Sequence, residues 1–217
     1  MNKRDMCVLL FVACVVGTTL YVAINQTRSI SNSAKFNPER SKVVHISESQ
    51  LIGANPMERI GDGQQGTLVE FADYQCPPCG NAYRNILPSI LQHYHGKIKF
   101  VFRNFPLTNI HCYAKGAALA SLAAGMQGKF WQMHNLLYSN QDQLDPKSIE
   151  KYAAELNLNL PKFNHDIVGK AANLLALDVS QGNRSEVNAT PTFFLCLRNN
   201  KVIKLGDPTQ IKNYLHS

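Results

Sequence analysis

The stretch Phe71-Ala72-Asp73-Tyr74-Gln75-Cys76-Pro77-Pro78-Cys79 constrains this chain more than any other. The run Thr67-Leu68-Val69-Glu70-Phe71-Ala72 reads as a short buried strand. Beyond it, Tyr83, Ile86, Leu87, Ile90, Leu91 and Tyr94 recur at the spacing of one helix face. The cysteines therefore stand where a strand ends and a helix begins. A helix N-terminus carries unpaired N–H groups and partial positive charge, which favour an anion. Thiolate is the reactive form of cysteine, so this placement should hold the pKa of Cys76 below the free value of about 8.5. Cys79, one turn on, can close a small disulfide ring or resolve a mixed disulfide. Proline disfavours helical backbone in the residue before it, so Pro77 should sit outside the helix proper.

A C-x-x-C pair can also be half of a zinc site or a structural disulfide. Zinc needs two more ligands at a usable spacing. No second C-x-x-C follows, Cys112 and Cys196 stand alone, and the seven histidines are scattered. Redox chemistry is the better reading, with no metal and no cofactor expected. The competing class is a binding protein that offers Cys76 and Cys79 to copper as soft ligands. The +7 charge is dispersed, without a basic block interleaved with aromatics, which argues against nucleic acid.

The N-terminus speaks to location. Residues 1–5 form a short basic tail, and Met6 to Ile24 is an uncharged apolar run. That run approaches the roughly 20 residues that span a bilayer as a helix. Lys3 and Arg4 would keep the tail in the cytoplasm and send the rest outside. A cleaved signal peptide competes, but Tyr21-Val22-Ala23 is a poor cleavage site, and the apolar run continues past the weak lipoprotein-like Phe11-Val12-Ala13-Cys14. An uncleaved anchor is favoured, with Cys7 and Cys14 embedded. Residues 25–65, rich in Ser, Asn and Gly, read as a tether with one possible strand near Lys42 to Ile46.

Lys97 to Arg103 alternates as a strand, completing a β–α–β unit. Four helical patterns follow, over Ala114–Met126, Phe130–Tyr138, Pro146–Leu156 and Ile167–Val179. Thr192–Leu197 and Lys201–Leu205 form a hairpin around Asn199-Asn200, and a helix over Thr209–His216 closes the chain. This is an α/β, thioredoxin-like order with an inserted helical domain (about 111–185), preceded by one N-terminal transmembrane helix.

The segment 66–217 resembles the DsbA-like family of envelope thiol:disulfide oxidoreductases. Val69 to Cys79, Arg103-Asn104-Phe105-Pro106-Leu107, Gln127 to His134, and Ala189-Thr190-Pro191-Thr192-Phe193-Phe194 carry the resemblance. It implies that Cys76 is the exposed nucleophile, Cys79 the buried resolving thiol, Pro191 a cis-proline preceded by Thr190, and Glu70 the buried acid. A buried Glu70 would have a raised pKa and could move a proton for Cys79. A cis bond at Pro191 would let the backbone there pair with a substrate strand. The resemblance further implies exported cysteine-containing polypeptide substrates, a membrane partner that recharges the pair, and a bacterial inner-membrane protein with its catalytic domain in the periplasm. Trp131, Met133 and His134 are expected as packing residues, and a Cys112–Cys196 disulfide is not expected.

Overall fold

A computed structural model describes residues 41–215 except 54 and 56. In chain order the strands and helices are β1 (Lys42–Val44), α1 (Glu48–Ile52), β2 (Arg59–Ile60), β3 (Gly66–Ala72) and α2 (Pro77–Asn81). A π-helical turn at Ala82–Ile86 leads into α3 (Leu87–His93) and β4 (Ile98–Asn104). Five helices follow: α4 (Ala114–Gly125), α5 (Phe130–Ser139), α6 (Pro146–Glu155), α7 (Leu160–Val168) and α8 (Lys170–Arg184). Last come β5 (Thr192–Leu197), β6 (Val202–Leu205) and a 3-10 turn, Pro208–Asn213.

One sheet runs β1-β6-β5-β3-β4-β2. Its centre is β3, buried at all seven positions, parallel to β4 and antiparallel to β5. The unbroken apolar run permits this, because a strand covered on both faces needs no polar alternation. Its side chains still divide by parity. Leu68 faces a core that includes Cys76, Cys79, Phe102 and the insertion helices, whereas Val69 and Phe71 face a second core with Leu51, Phe194 and Cys196. Glu70 shares the Leu68 face by the period of two. Thus the acid looks toward the cysteine pair.

The tether expected over residues 25–65 is built into the sheet from Lys42 onward. β1 pairs with β6, β2 pairs with β4, and α1 begins with a Ser47–Gln50 capping box. The strand expected near Lys42 to Ile46 is β1, whereas β2, two residues long, is too short to show a periodicity, which is why composition suggested only linker there. The insertion holds five helices rather than four, because Gly169 breaks the backbone between α7 and α8. The closing helix is a single 3-10 segment. The expected span over Met6 to Ile24 lies outside the described residues. Among the described residues, no helix is long and apolar enough to cross a membrane.

Candidate redox site

Cys76 is the N-cap of α2, with φ −74° and ψ 120°, and Pro77 is the first helical residue. Pro77 therefore lies inside the helix, contrary to expectation. Its preset φ suits that position, and the N–H it lacks would have no intrahelical partner. The extended backbone that proline demands of its predecessor falls on Cys76 instead.

The structure brings together the residues singled out in the sequence. The Cys76 thiol donates to the Thr190 carbonyl oxygen at 3.3 Å, and the Thr190–Pro191 peptide is cis. Cys76 is only 4% exposed, so it is less open than the expected exposed nucleophile; Cys79 is fully buried. Both are free thiols. Glu70 is 1% exposed, and its Oε1 has no hydrogen-bond partner.

The two thiols are driven apart electrostatically. A hydrogen bond from Cys79 is the largest influence on Cys76 and lowers its pKa to about 6. The Thr190 hydroxyl and the Cys79 backbone N–H lower it further, while burial and the Asp73 carboxylate oppose them. Burial pushes Cys79 well above its ordinary value, and the hydrogen bond with Cys76 adds to that. Glu70 is raised to about 8 by burial, then by the charge of Cys76. The pair thus offers one readily formed thiolate and one protonated thiol beside a protonated acid.

Asp73, hidden inside the motif, was not singled out in the sequence. It is 1% exposed; its Oδ1 accepts from Gln75 N at 2.7 Å, and its Oδ2 accepts from Leu107 N at 2.8 Å and meets His111 Nδ1 at 2.8 Å. One carboxylate thus ties the cysteine turn to the chain leaving β4. Gln141, from the turn after α5, also reaches the cysteine turn; it lies in no recognisable motif, so nothing in the sequence marked it. His134 is buried against Tyr74, with Nδ1 at 3.1 Å from the Tyr74 hydroxyl, and burial lowers its pKa to about 3, so the ring is neutral. Trp131 and Met133 join the same core.

Cys112 is exposed, whereas Cys196 sits in the second core, its pKa pushed up to about 12 by burial. They are not bonded to each other. Among the described residues, no three His, Cys, Asp or Glu side chains gather as metal ligands.

A thioredoxin family model matches residues 60–216. The chain is a DsbA-like member of the thioredoxin family. Crystal structures of alpha-DsbA1 from Wolbachia pipientis and of oxidised BdbD from Bacillus subtilis are similar to it. The first is 26% identical, covering 71% of this chain and 82% of that one, with a TM-score of 0.62. The second is 26% identical, covering 72% and 89%, with a TM-score of 0.61. The chain has curated relatives as well. It is also 40% identical over 130 residues to Na(+)/H(+) antiporter NhaA 3 of Salinispora tropica, covering 59% of this chain and 20% of that one. The chain thus spans about a fifth of the curated relatives it matches, so that likeness concerns one segment of them.

Proposed function

We propose that the protein exchanges disulfides with cysteines of exported polypeptides through Cys76 and Cys79. The observation that carries this is the asymmetry of the pair: Cys76 caps a helix against the Thr190 carbonyl, and Cys79 lies sealed beneath it.

With the pair oxidised, a substrate thiolate attacks Cys76 Sγ, a mixed disulfide forms, and Cys79 leaves as a thiolate. Glu70 gives Cys79 its proton. A second substrate thiolate then attacks the substrate sulfur of the mixed disulfide and expels the Cys76 thiolate. The substrate is oxidised by two electrons and the pair reduced by two. In the other direction the Cys76 thiolate attacks a substrate disulfide and expels one substrate thiolate. Glu70, relieved of the Cys76 charge and ionised, then takes the Cys79 proton. The Cys79 thiolate attacks Cys76 Sγ to expel the second substrate thiolate, leaving the substrate reduced and the pair oxidised by two electrons. The backbone at Thr190-Pro191 receives the substrate chain as an added strand. A membrane redox partner recharges the pair.

The proposed arrangement has a cytoplasmic tail at 1–5, an uncleaved anchor at 6–24, a tether, and the catalytic domain in the periplasm. Released only by detergent and retaining residues 1–24, the native protein would fit it; a mature N-terminus after Gly17 would exclude it.

Substitution assigns the roles of the thiols. Cys76→Ser should abolish exchange, and Cys79→Ser should accumulate mixed disulfides with substrates. Mixed disulfides trapped by the Cys76 variant and not by the Cys79 variant would reverse the assignment.

A further inference from the structure

Gln141 Nε2 donates to two backbone carbonyls on either side of Gln75: Tyr74 O at 2.7 Å and Cys76 O at 3.0 Å. Its Oε1 accepts from Arg84 Nη1 at 3.2 Å, and the same Nη1 donates to Tyr138 O at 3.1 Å. The carboxamide is therefore aimed from both ends. Room for it comes from Gly80. A Cβ there would overlap Gln141 Oε1 and lie 2.5 Å from its Cδ.

We propose that Gln141 is a positioning residue that sets how well Cys76 holds a thiolate, coupling the inserted helical domain to the redox centre. The inference rests on reading Cys76 as the nucleophile. The Cys76 carbonyl oxygen belongs to the same residue as Sγ, and its partial negative charge opposes a thiolate there. An N–H donated to that oxygen offsets the opposition. The Gly80 N–H supplies one such bond at 3.1 Å, and Gln141 supplies the second. By holding the carbonyls of residues 74 and 76 together, Gln141 also fixes the extended ψ of Cys76. That keeps Sγ within reach of the Cys79 backbone N–H, the one first-turn donor the two prolines leave.

Gln141→Leu removes the donor while keeping most of the bulk. Gly80→Ala displaces the carboxamide without touching a cysteine or the Gln141 codon, and alanine favours the helix that Gly80 occupies. Ultraviolet titration of the reduced protein should show the Cys76 thiolate midpoint rising in each variant by about half to one pH unit, about three- to tenfold in thiolate at fixed pH. Equilibration with glutathione should show a disulfide less oxidising by a similar factor, because the reduced form is less stabilised. The double variant should shift no further than either single one. Parental midpoints and glutathione equilibria in a folded Gln141→Leu protein would overturn the inference, as would additive shifts in the double variant. A change in thermal stability alone would make Gln141 merely structural and would overturn it too. A parent without a low-midpoint thiolate, or one whose low midpoint survives Cys76→Ser, would instead overturn the reading of Cys76, and this inference with it.

Discussion

The Cys76 thiol and the Thr190 carbonyl oxygen, 114 residues apart in the chain, meet at 3.3 Å. This bond needs the thiol hydrogen. On ionisation Cys76 has nothing left to donate, and the carbonyl is freed to accept from another group. In the exchange proposed above, a substrate backbone N–H would be such a donor, at the residue pair that leads into β5. Under that proposal, deprotonation of Cys76 and release of the Thr190 carbonyl are one event.

Alkylation of Cys76 in the reduced protein, scored residue by residue so that the exposed Cys112 is counted apart, should therefore follow one titration with a midpoint near pH 6, the value to which Cys79 and Thr190 lower Cys76. Cys79 should stay unreactive through that range, since burial raises it. The profile is read from modification rates with a small alkylating agent and should vanish in Cys76→Ser. A midpoint at the free-thiol value of about 8.5 would contradict the electrostatic account of the site.

Glu70 should leave its mark on stability against pH. Its folded pKa is about 8, against an ordinary value of 4.5. Between these values the unfolded chain has released the proton that the native state still holds. Stability is thus fullest below 4.5 and falls as pH rises toward about 8, by up to about 5 kcal/mol. Glu70→Gln should remove that fall. The reduced variant should be more stable than the parent at pH 8 and similar at pH 4, by urea unfolding. Parallel pH slopes for the two proteins would contradict a buried, protonated Glu70.

The sequence carried the centre of this fold because its signals are local and strong. A seven-residue buried strand, a cysteine pair at a helix start, and Thr190-Pro191 before an aromatic strand can all be read without neighbours. The periphery was illegible for the opposite reason. Arg59-Ile60 becomes a strand only because β4 lies alongside, and a two-residue pattern has no period. Asp73 and Gln141 escaped notice because each bonds backbone atoms of the cysteine turn and groups that only folding brings alongside, and such bonds leave no trace in residue spacing. The helical reading over Ile167–Val179 ran across Gly169, whose conformation splits the pattern into two helices. Cys76 proved nearly covered because the loop that covers it arrives from more than a hundred residues away.

A buried ion cluster joins the N-terminal segment to the insertion. Arg103 Nη1 lies 3.3 Å from Glu58 Oε2, and Nη2 lies 2.6 Å from Asp178 Oδ1, every side chain at most 2% exposed. Gly53 lets the guanidinium pass, since it stands at φ +64° and a Cβ would collide with Arg103. Burial and the Asp178 charge raise Glu58 well above the usual carboxylate range. Arg103→Met would leave two buried acids without their cation, which should cost about 3–5 kcal/mol in urea unfolding. The Cys76 titration should not move in the folded variant. A loss below about 1 kcal/mol, the scale of an exposed pair, would show that the cluster is solvated in solution.

The last prediction concerns redox poise. An N-cap side chain accepts hydrogen bonds from the second and third helical N–H groups. Here those positions are Pro78 and Cys79, so Pro78 removes one of the two donors available to Cys76. Pro77 contributes none either, and the Cys79 N–H is left to stabilise the thiolate. Pro78→His restores the second donor and adds an imidazole that can be cationic at a half-exposed position beside the sulfur. Both changes favour the thiolate. The Cys76 pKa should fall below its value of about 6. A better stabilised dithiol form makes the disulfide a stronger oxidant, so the reduction potential should rise. Thiolate titration and glutathione equilibration of parent and variant measure the two shifts together. A potential that stays put or falls would refute the donor argument and leave the proposed thiol:disulfide exchange standing.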